Sequence, residues 1–121
     1  MCGRTPDLPR LAARGKTTLG SPAMVRHILL LQQRPDATAD QIAACRDGLA
    51  SLVGPIAGLV DFHWGANFAP VERAGGFTHG FSMDFVDRQS LDAYGPNPTH
   101  QVVAAKVRAT FERIVVLDFE L

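Results

Sequence analysis

From Met24 onward the chain alternates short apolar runs with segments of helical periodicity. Residues 25–31 form a largely apolar run closed by turn residues, and its length predicts a strand buried on both faces. Thr38 and Gln41 then have the spacing of a capping box, which predicts the start of a helix. Apolar positions follow at helical spacing until Gly54-Pro55, where we expect the helix to end. Residues 59–65, rich in aromatics, predict a second strand.

Residues 77–85 show strict alternation, the strongest strand signal in the chain. Because side chains alternate between the faces of a strand, the odd positions lie together. These positions are Phe77, His79, Phe81, Met83 and Phe85. The pattern therefore predicts a third strand with a histidine on a face of phenylalanines.

Two helix starts and a last strand complete the pattern. Asp87 is a suitable N-cap for a short helix through Tyr94, and Asn97 precedes a proline at a first helical position. Residues 114–119 then predict a fourth strand. The order β-α-β-β-α-β predicts an α+β fold of the ferredoxin-like type.

Two main helices can cover only one face of a four-stranded sheet. The first and last strands are apolar on both faces, so the second face needs a partner, and another copy of the chain is the simplest one. We therefore expect a homodimer. Phe81 and Met83 are the candidates for the layer between the sheets, whereas the face of Trp64 depends on strand register.

Composition agrees with one globular domain. The 121 residues are 46% hydrophobic and 20% charged, and the formal net charge is zero. Apolar runs such as Ile28–Leu31 are far shorter than the roughly 20 residues of a membrane span. Cys2 and Cys45 are too few for a disulfide framework or a zinc site. We expect a reduced, cytoplasmic protein with neither nucleic acid nor membrane as a partner, and we expect Cys45 to be a small core residue.

Charge separates residues 1–23 from the remaining chain. The first segment has a net charge of +3 and several prolines and glycines, whereas residues 24–121 have a net charge of −3. The segment lacks the apolar centre of a secretory signal. Its basic, acid-poor composition leaves a transit peptide as an alternative, although its prolines disfavour the amphipathic helix of one. We expect residues 1–23 to be a disordered leader and the domain to span residues 24–121.

Histidine placement is the main chemical signal, because the sequence contains none of the common nucleotide-binding, metalloprotease or nucleophile-elbow motifs. His27, His63 and His79 fall on strands, and His100 falls in the first turn of a helix. The helix macrodipole disfavours the charged form of His100, which favours a role as a base. Alternatives stay open: His100 can be an exposed or capping residue. No local ligand spacing indicates a metal.

Five segments in order resemble the stress-responsive dimeric α/β-barrel (Dabb) family. The segments are residues 25–31, 62–65, 76–79, 91–100 and 116–119. The most specific part is a Tyr-x-x-x-Pro-x-His stretch that begins at Tyr94 and ends at His100. The resemblance implies a small homodimer in which two four-stranded sheets form a barrel.

The family includes olivetolic acid cyclase-type enzymes, which cyclise a linear polyketide without a cofactor. The resemblance implies that His100 is the catalytic base, that Tyr94 assists it, and that His27 and His79 bind substrate. Phe77 stands where the cyclase has a tyrosine, so one hydroxyl is missing here. If Phe77 and Phe81 face inward, we expect them to form part of the apolar wall of the substrate pocket. A hydrogen-bonded core histidine remains the alternative for His79.

Three functions follow from the residues and the resemblance. The first is a barrel that binds a small, partly apolar molecule in a pocket lined by His and Tyr. The second is a cofactor-free cyclase-like or lyase-like enzyme with His100 as general base and Tyr94 as its partner. The third is a non-catalytic protein whose barrel serves stability or assembly.

Overall fold

The computed structural model describes residues 23–121, and its elements follow the order that the sequence predicts. The strands are β1 (Val25–Gln33), β2 (Leu59–Ala66), β3 (His79–Phe85) and β4 (Phe111–Glu120). The helices are α1 (Ala39–Ala50), α2 (Val71–Ala74), α3 (Arg88–Tyr94) and α4 (Pro98–Thr110). The predicted β-α-β-β-α-β order is confirmed, with α2 as a short addition between β2 and β3. The predicted leader lies outside the described residues, except for its last residue.

The four strands form one antiparallel sheet in the order β2-β3-β1-β4. This is the ferredoxin-like arrangement, in which the two central strands are β1 and β3. His27 on β1 lies opposite Met83 on β3 and opposite Asp118 on β4. The register therefore aligns three side chains from distant parts of the sequence on one face of the sheet.

All the long helices lie against the same face of the sheet, and the core fills the space between them. Leu49 on α1 and Val107 on α4 are buried there with Leu31, Phe85 and other apolar side chains. Cys45 is fully buried, and its thiol lies 3.4 Å from Oγ1 of Thr110. The prediction that Cys45 is a core residue is confirmed.

The predicted face of β3 is wrong. Phe81 and Met83 are 6% and 0% exposed within the single chain because they lie beneath the helices, so they cannot fill a layer between two sheets. Trp64 lies opposite Phe81 and shares that face. Alternation shows which side chains share a face, but it does not show which face the helices cover. The open face instead presents exposed apolar side chains, which are Leu30, Val115, Leu117 and Phe119.

Local capping and glycine geometry set the ends of several elements. Both hydrogen bonds of the capping box between Thr38 and Gln41 are present, which confirms the predicted start of α1. Gly58 precedes β2 with a φ of 85°, and a Cβ there would lie 2.2 Å from Oγ of Ser90. Glycine therefore allows α3 to pack closely against the start of β2. Within residues 23–121, every helix is too short or too polar to span a membrane.

Candidate functional site

A cavity of about 490 Å³ lies between the helix-covered face of the sheet and helices α3 and α4. Its polar lining consists of His27, Asp92, Tyr94, His100, Arg108 and Asp118. Much of the remaining lining is apolar and includes Leu29, Leu49, Phe81, Val107, Ile114 and Val116. An apolar cavity with a few convergent polar groups is the usual form of a small-molecule site.

His100 lies in the first turn of α4, which Asn97 caps through its side chain. Its Nδ1 lies 3.0 Å from the carbonyl oxygen of Gly95. Because a carbonyl only accepts hydrogen bonds, Nδ1 donates its proton and Nε2 of the neutral ring is left as the acceptor. Burial lowers the pKa of His100, and the hydrogen bond to Gly95 opposes that shift. The ring is therefore neutral at neutral pH, as a general base requires.

Tyr94, the last residue of α3, packs directly on His100. The two ring centroids are 3.9 Å apart and the planes are tilted by 38°. The Tyr94 side chain is buried, and burial raises the pKa of its hydroxyl. Among the described residues the hydroxyl has no hydrogen-bond partner, so it is a protonated donor available to a bound molecule.

His27 enters the same cavity from β1. Its Nδ1 lies 2.5 Å from a carboxylate oxygen of Asp118, and its ring centroid lies 6.0 Å from that of Tyr94. When Nδ1 donates to this carboxylate, Nε2 of the neutral ring is an acceptor, as in His100. Asp118 was not predicted as a site residue. The signal that identifies it is the antiparallel register of β1 and β4, which alternation cannot provide.

The structure places His79 and Phe77 outside the lining of this cavity. His79 shares the helix-covered face but lies nearer the start of β3, 5.7 Å from the ring of Trp64 and 5.8 Å from that of Phe111. Phe77 precedes β3, and the guanidinium of Arg113 lies 4.0 Å above its ring. Their positions at and before the start of β3 therefore place both residues away from α3 and from the first turn of α4.

Four of the six predicted site residues thus come together, and two do not. His27, Phe81, Tyr94 and His100 line one cavity. His63 lies on the opposite face of the sheet, exposed and 3.1 Å from a carboxylate oxygen of Asp61. Within residues 23–121 no group of three or more His, Cys, Asp or Glu side chains has the arrangement of a metal site.

Comparison with known proteins identifies the family of this chain. The model of the stress responsive A/B barrel domain, Dabb, matches residues 25–121. A stress-response A/B barrel domain-containing protein of Arabidopsis thaliana is 32% identical over 95 residues, which cover 78% of this chain and 83% of the relative. A second Arabidopsis thaliana protein of that description, HS1, is 26% identical over 96 residues, covering 79% and 88% of the two chains.

Solved structures agree with this assignment. A dimeric ferredoxin-like protein of unknown function from Jannaschia sp. is 28% identical with a TM-score of 0.72, and the match covers 81% of this chain and 99% of that one. Hydroxynitrile lyase from Passiflora edulis is 26% identical with a TM-score of 0.74, and the match covers 83% and 94% of the two chains. The fold, the match to nearly the whole domain and these relatives show that the chain belongs to the stress-responsive A/B barrel (Dabb) family.

Proposed function

We propose that this protein is a homodimer that binds a small, partly apolar molecule in the cavity between its sheet and helices α3 and α4. One observation carries the proposal: three hydrogen-bonding side chains, His27, Tyr94 and His100, converge in a cavity with a largely apolar wall. Nε2 of the neutral His100 ring accepts a hydrogen bond, and the Tyr94 hydroxyl donates one. A ligand with a hydroxyl or carbonyl group at one end and an apolar body matches this arrangement.

The open face of the sheet supports the homodimer. Leu30, Val115, Leu117 and Phe119 form an apolar patch there, and a patch of this kind on a single chain favours a protein contact. A related solved structure is dimeric. A two-fold axis would place this patch on its own copy in the partner, which is the geometry of an isologous contact.

The dimer can be tested with one charge on the patch. Leu117→Asp places an unpaired carboxylate in the proposed contact, so sedimentation velocity should show a monomer. Val102→Asp is the control, because Val102 is also an exposed aliphatic residue but lies on α4, away from the open face. A dimer that persists in Leu117→Asp at full stability would exclude this face as the contact.

Ligand binding can be tested by identifying what the protein retains. Mass spectrometry of the denatured, freshly purified protein should detect a small organic molecule at a ratio near one per chain. In Val107→Trp a larger side chain on the cavity wall occupies part of the cavity, so the ratio of bound molecule to chain should fall. Val102→Trp, on the exposed side of α4, should leave that ratio unchanged. If both variants retain the same molecule at the wild-type ratio, the molecule lies elsewhere.

A second function is favoured by the state of His100. Its Nδ1 is committed to Gly95, its Nε2 is an acceptor, and the Tyr94 hydroxyl lies on the adjacent ring. We propose that this pair can perform general-base chemistry without a cofactor, of a lyase-like or cyclase-like kind. Nε2 would take a proton from a hydroxyl or an acidic carbon, and the Tyr94 hydroxyl would donate to the oxygen where negative charge collects. The similarity to a hydroxynitrile lyase supports the lyase-like case.

A cyanohydrin assay tests the lyase-like reaction. In mandelonitrile cleavage, Nε2 takes the hydroxyl proton, the C–CN bond breaks, cyanide leaves with the bonding electrons, and benzaldehyde forms. General-base catalysis typically raises a rate by about 10²–10⁴-fold. The rate of cyanide release by His100→Asn should therefore be at least about 100-fold below that of the wild type. Asparagine keeps a donor toward Gly95, so folding should be preserved. A wild-type rate equal to that of His100→Asn would exclude the lyase-like reaction but leave the binding proposal unaffected.

A further inference from the structure

A second pocket of about 540 Å³ lies at the other end of the helix-covered face, between α1 and the edge strand β2. On α1, residues 39, 42, 43 and 46 are spaced so that they share one side of the helix, and two of them are alanines. Gly65 and Ala66 line it from β2. Small side chains on both walls keep this trough open.

Three polar side chains and one aromatic side chain also line the trough. The polar groups are the guanidinium of Arg46, the imidazole of His79 and the amide of Gln33, and the aromatic is Trp64. None of the lining residues is acidic. Asp47 accepts a hydrogen bond from Nε of Arg46 at 3.0 Å, and among the described residues the two terminal nitrogens of Arg46 have no hydrogen-bond acceptor.

Hydrogen bonds at Thr78 bear on the tautomer of His79. The hydroxyl of Thr78 donates to the carbonyl oxygen of Leu31 at 3.2 Å and accepts from the backbone N–H of Gln33 at 3.0 Å. When the hydroxyl proton points to Leu31, Nδ1 of His79 is the donor in its contact of 2.9 Å with Thr78 Oγ1. Burial lowers the pKa of His79, which favours the neutral ring, and in this tautomer Nε2 is the acceptor.

We infer that this trough is a second binding site, separate from the cavity at His100, for a small flat molecule with a carboxylate at one end and an O–H or N–H donor at the other. Arg46 pairs with the carboxylate, His79 Nε2 accepts from the donor, and the Trp64 ring contacts the flat body. The rings of Trp64, Phe81 and Phe111, with centroids about 6 Å apart, stand between the two sites.

The experiment uses three probes that differ in one group each. The full probe is para-hydroxyphenylacetate. The second, para-methylphenylacetate, lacks the donor, and the third, para-hydroxyphenylacetamide, lacks the charge. Calorimetry measures Kd for each probe with the full-length chain. Trp64 is the single tryptophan of the sequence and lines the trough, so a change in its emission reports binding beside this ring.

Each polar residue should respond to its own part of the probe. Arg46→Gln should raise Kd for para-hydroxyphenylacetate about tenfold and leave the amide probe unchanged. Arg73→Gln is the matched control, because Arg73 is an exposed arginine on α2 that lines neither site. Removing the donor from the probe should weaken binding to the wild type but not to His79→Ala. Ala43→Leu fills the trough and should abolish binding by every probe.

Three results would overturn the inference. The first is the absence of both a heat signal and a change in Trp64 emission when para-hydroxyphenylacetate is added to the wild type. The second is an equal loss in Arg46→Gln and Arg73→Gln, which would indicate non-specific charge attraction. The third is unchanged binding to Ala43→Leu. His100→Asn should leave all these Kd values unchanged, so failure of the proposed function and failure of this site are distinguishable.

Discussion

The two faces of the sheet should respond differently to the same kind of truncation. Met83 is completely buried beneath the helices, whereas Leu117 on the open face is 56% exposed within the single chain. Met83→Ala leaves a cavity in the core and should lower the free energy of unfolding by about 2–5 kcal/mol. Leu117→Ala removes a side chain that is less than half buried, so its cost within one chain should be about 1 kcal/mol or less.

The thermal effect follows from these values. For a domain of this size each kcal/mol lowers Tm by about 4–8 °C, so Met83→Ala should melt at least about 8 °C below the wild type. Leu117→Ala should change mainly the dependence of Tm on protein concentration, because a weakened dimer dissociates at a higher concentration.

The assay is thermal unfolding of both variants and the wild type at two protein concentrations a hundredfold apart, with sedimentation velocity at each. The expected result is a concentration-independent loss of Tm for Met83→Ala and a concentration-dependent loss for Leu117→Ala. The reasoning would be refuted if Met83→Ala cost less than about 1 kcal/mol while Leu117→Ala cost more. In that case the assignment of the covered and open faces would be reversed.

Three further predictions concern local interactions. Thr38→Ala removes the side-chain acceptor of the capping box and should lower the free energy of unfolding by about 1 kcal/mol in urea titrations, and no loss would mean that the cap is dispensable. Two hydrogen bonds from Arg26, at 2.8 and 2.9 Å, lower the pKa of Asp84, so their stabilisation is present above the ordinary pKa of 3.8 and lost as pH falls through the folded value. Asp84→Asn should flatten that acid-side slope of stability against pH, and an unchanged slope would contradict the assignment. NMR titration of the His100 ring should give a pKa below 6.5, so its contribution makes stability fall as pH drops below 6.5, whereas a pKa above 6.5 would mean that the ring is not desolvated.

Helix starts and the pairing of Tyr94 with His100 could be predicted from the sequence because they depend on short-range contacts. The caps at Thr38, Asp87 and Asn97 each involve residues within a few positions along the chain, and all three are present. Tyr94 and His100 are six residues apart across one turn, so the end of α3 and the start of α4 bring their rings together. The element order followed from the same local patterns, and it was sufficient to predict the ferredoxin-like fold.

The remaining parts of the site depend on contacts between distant residues. His27 and Asp118 are 91 positions apart, and only the register between β1 and β4 places them in contact. Alternation in β3 correctly grouped Phe81 with Met83, but their face was decided by the side on which α1 and α4 pack against the sheet. His79 shares that face, yet its position at the start of the strand places it at the other end of the helix layer, away from His100. A period of two along a strand is a local property, whereas register and helix placement are set by packing across the whole domain.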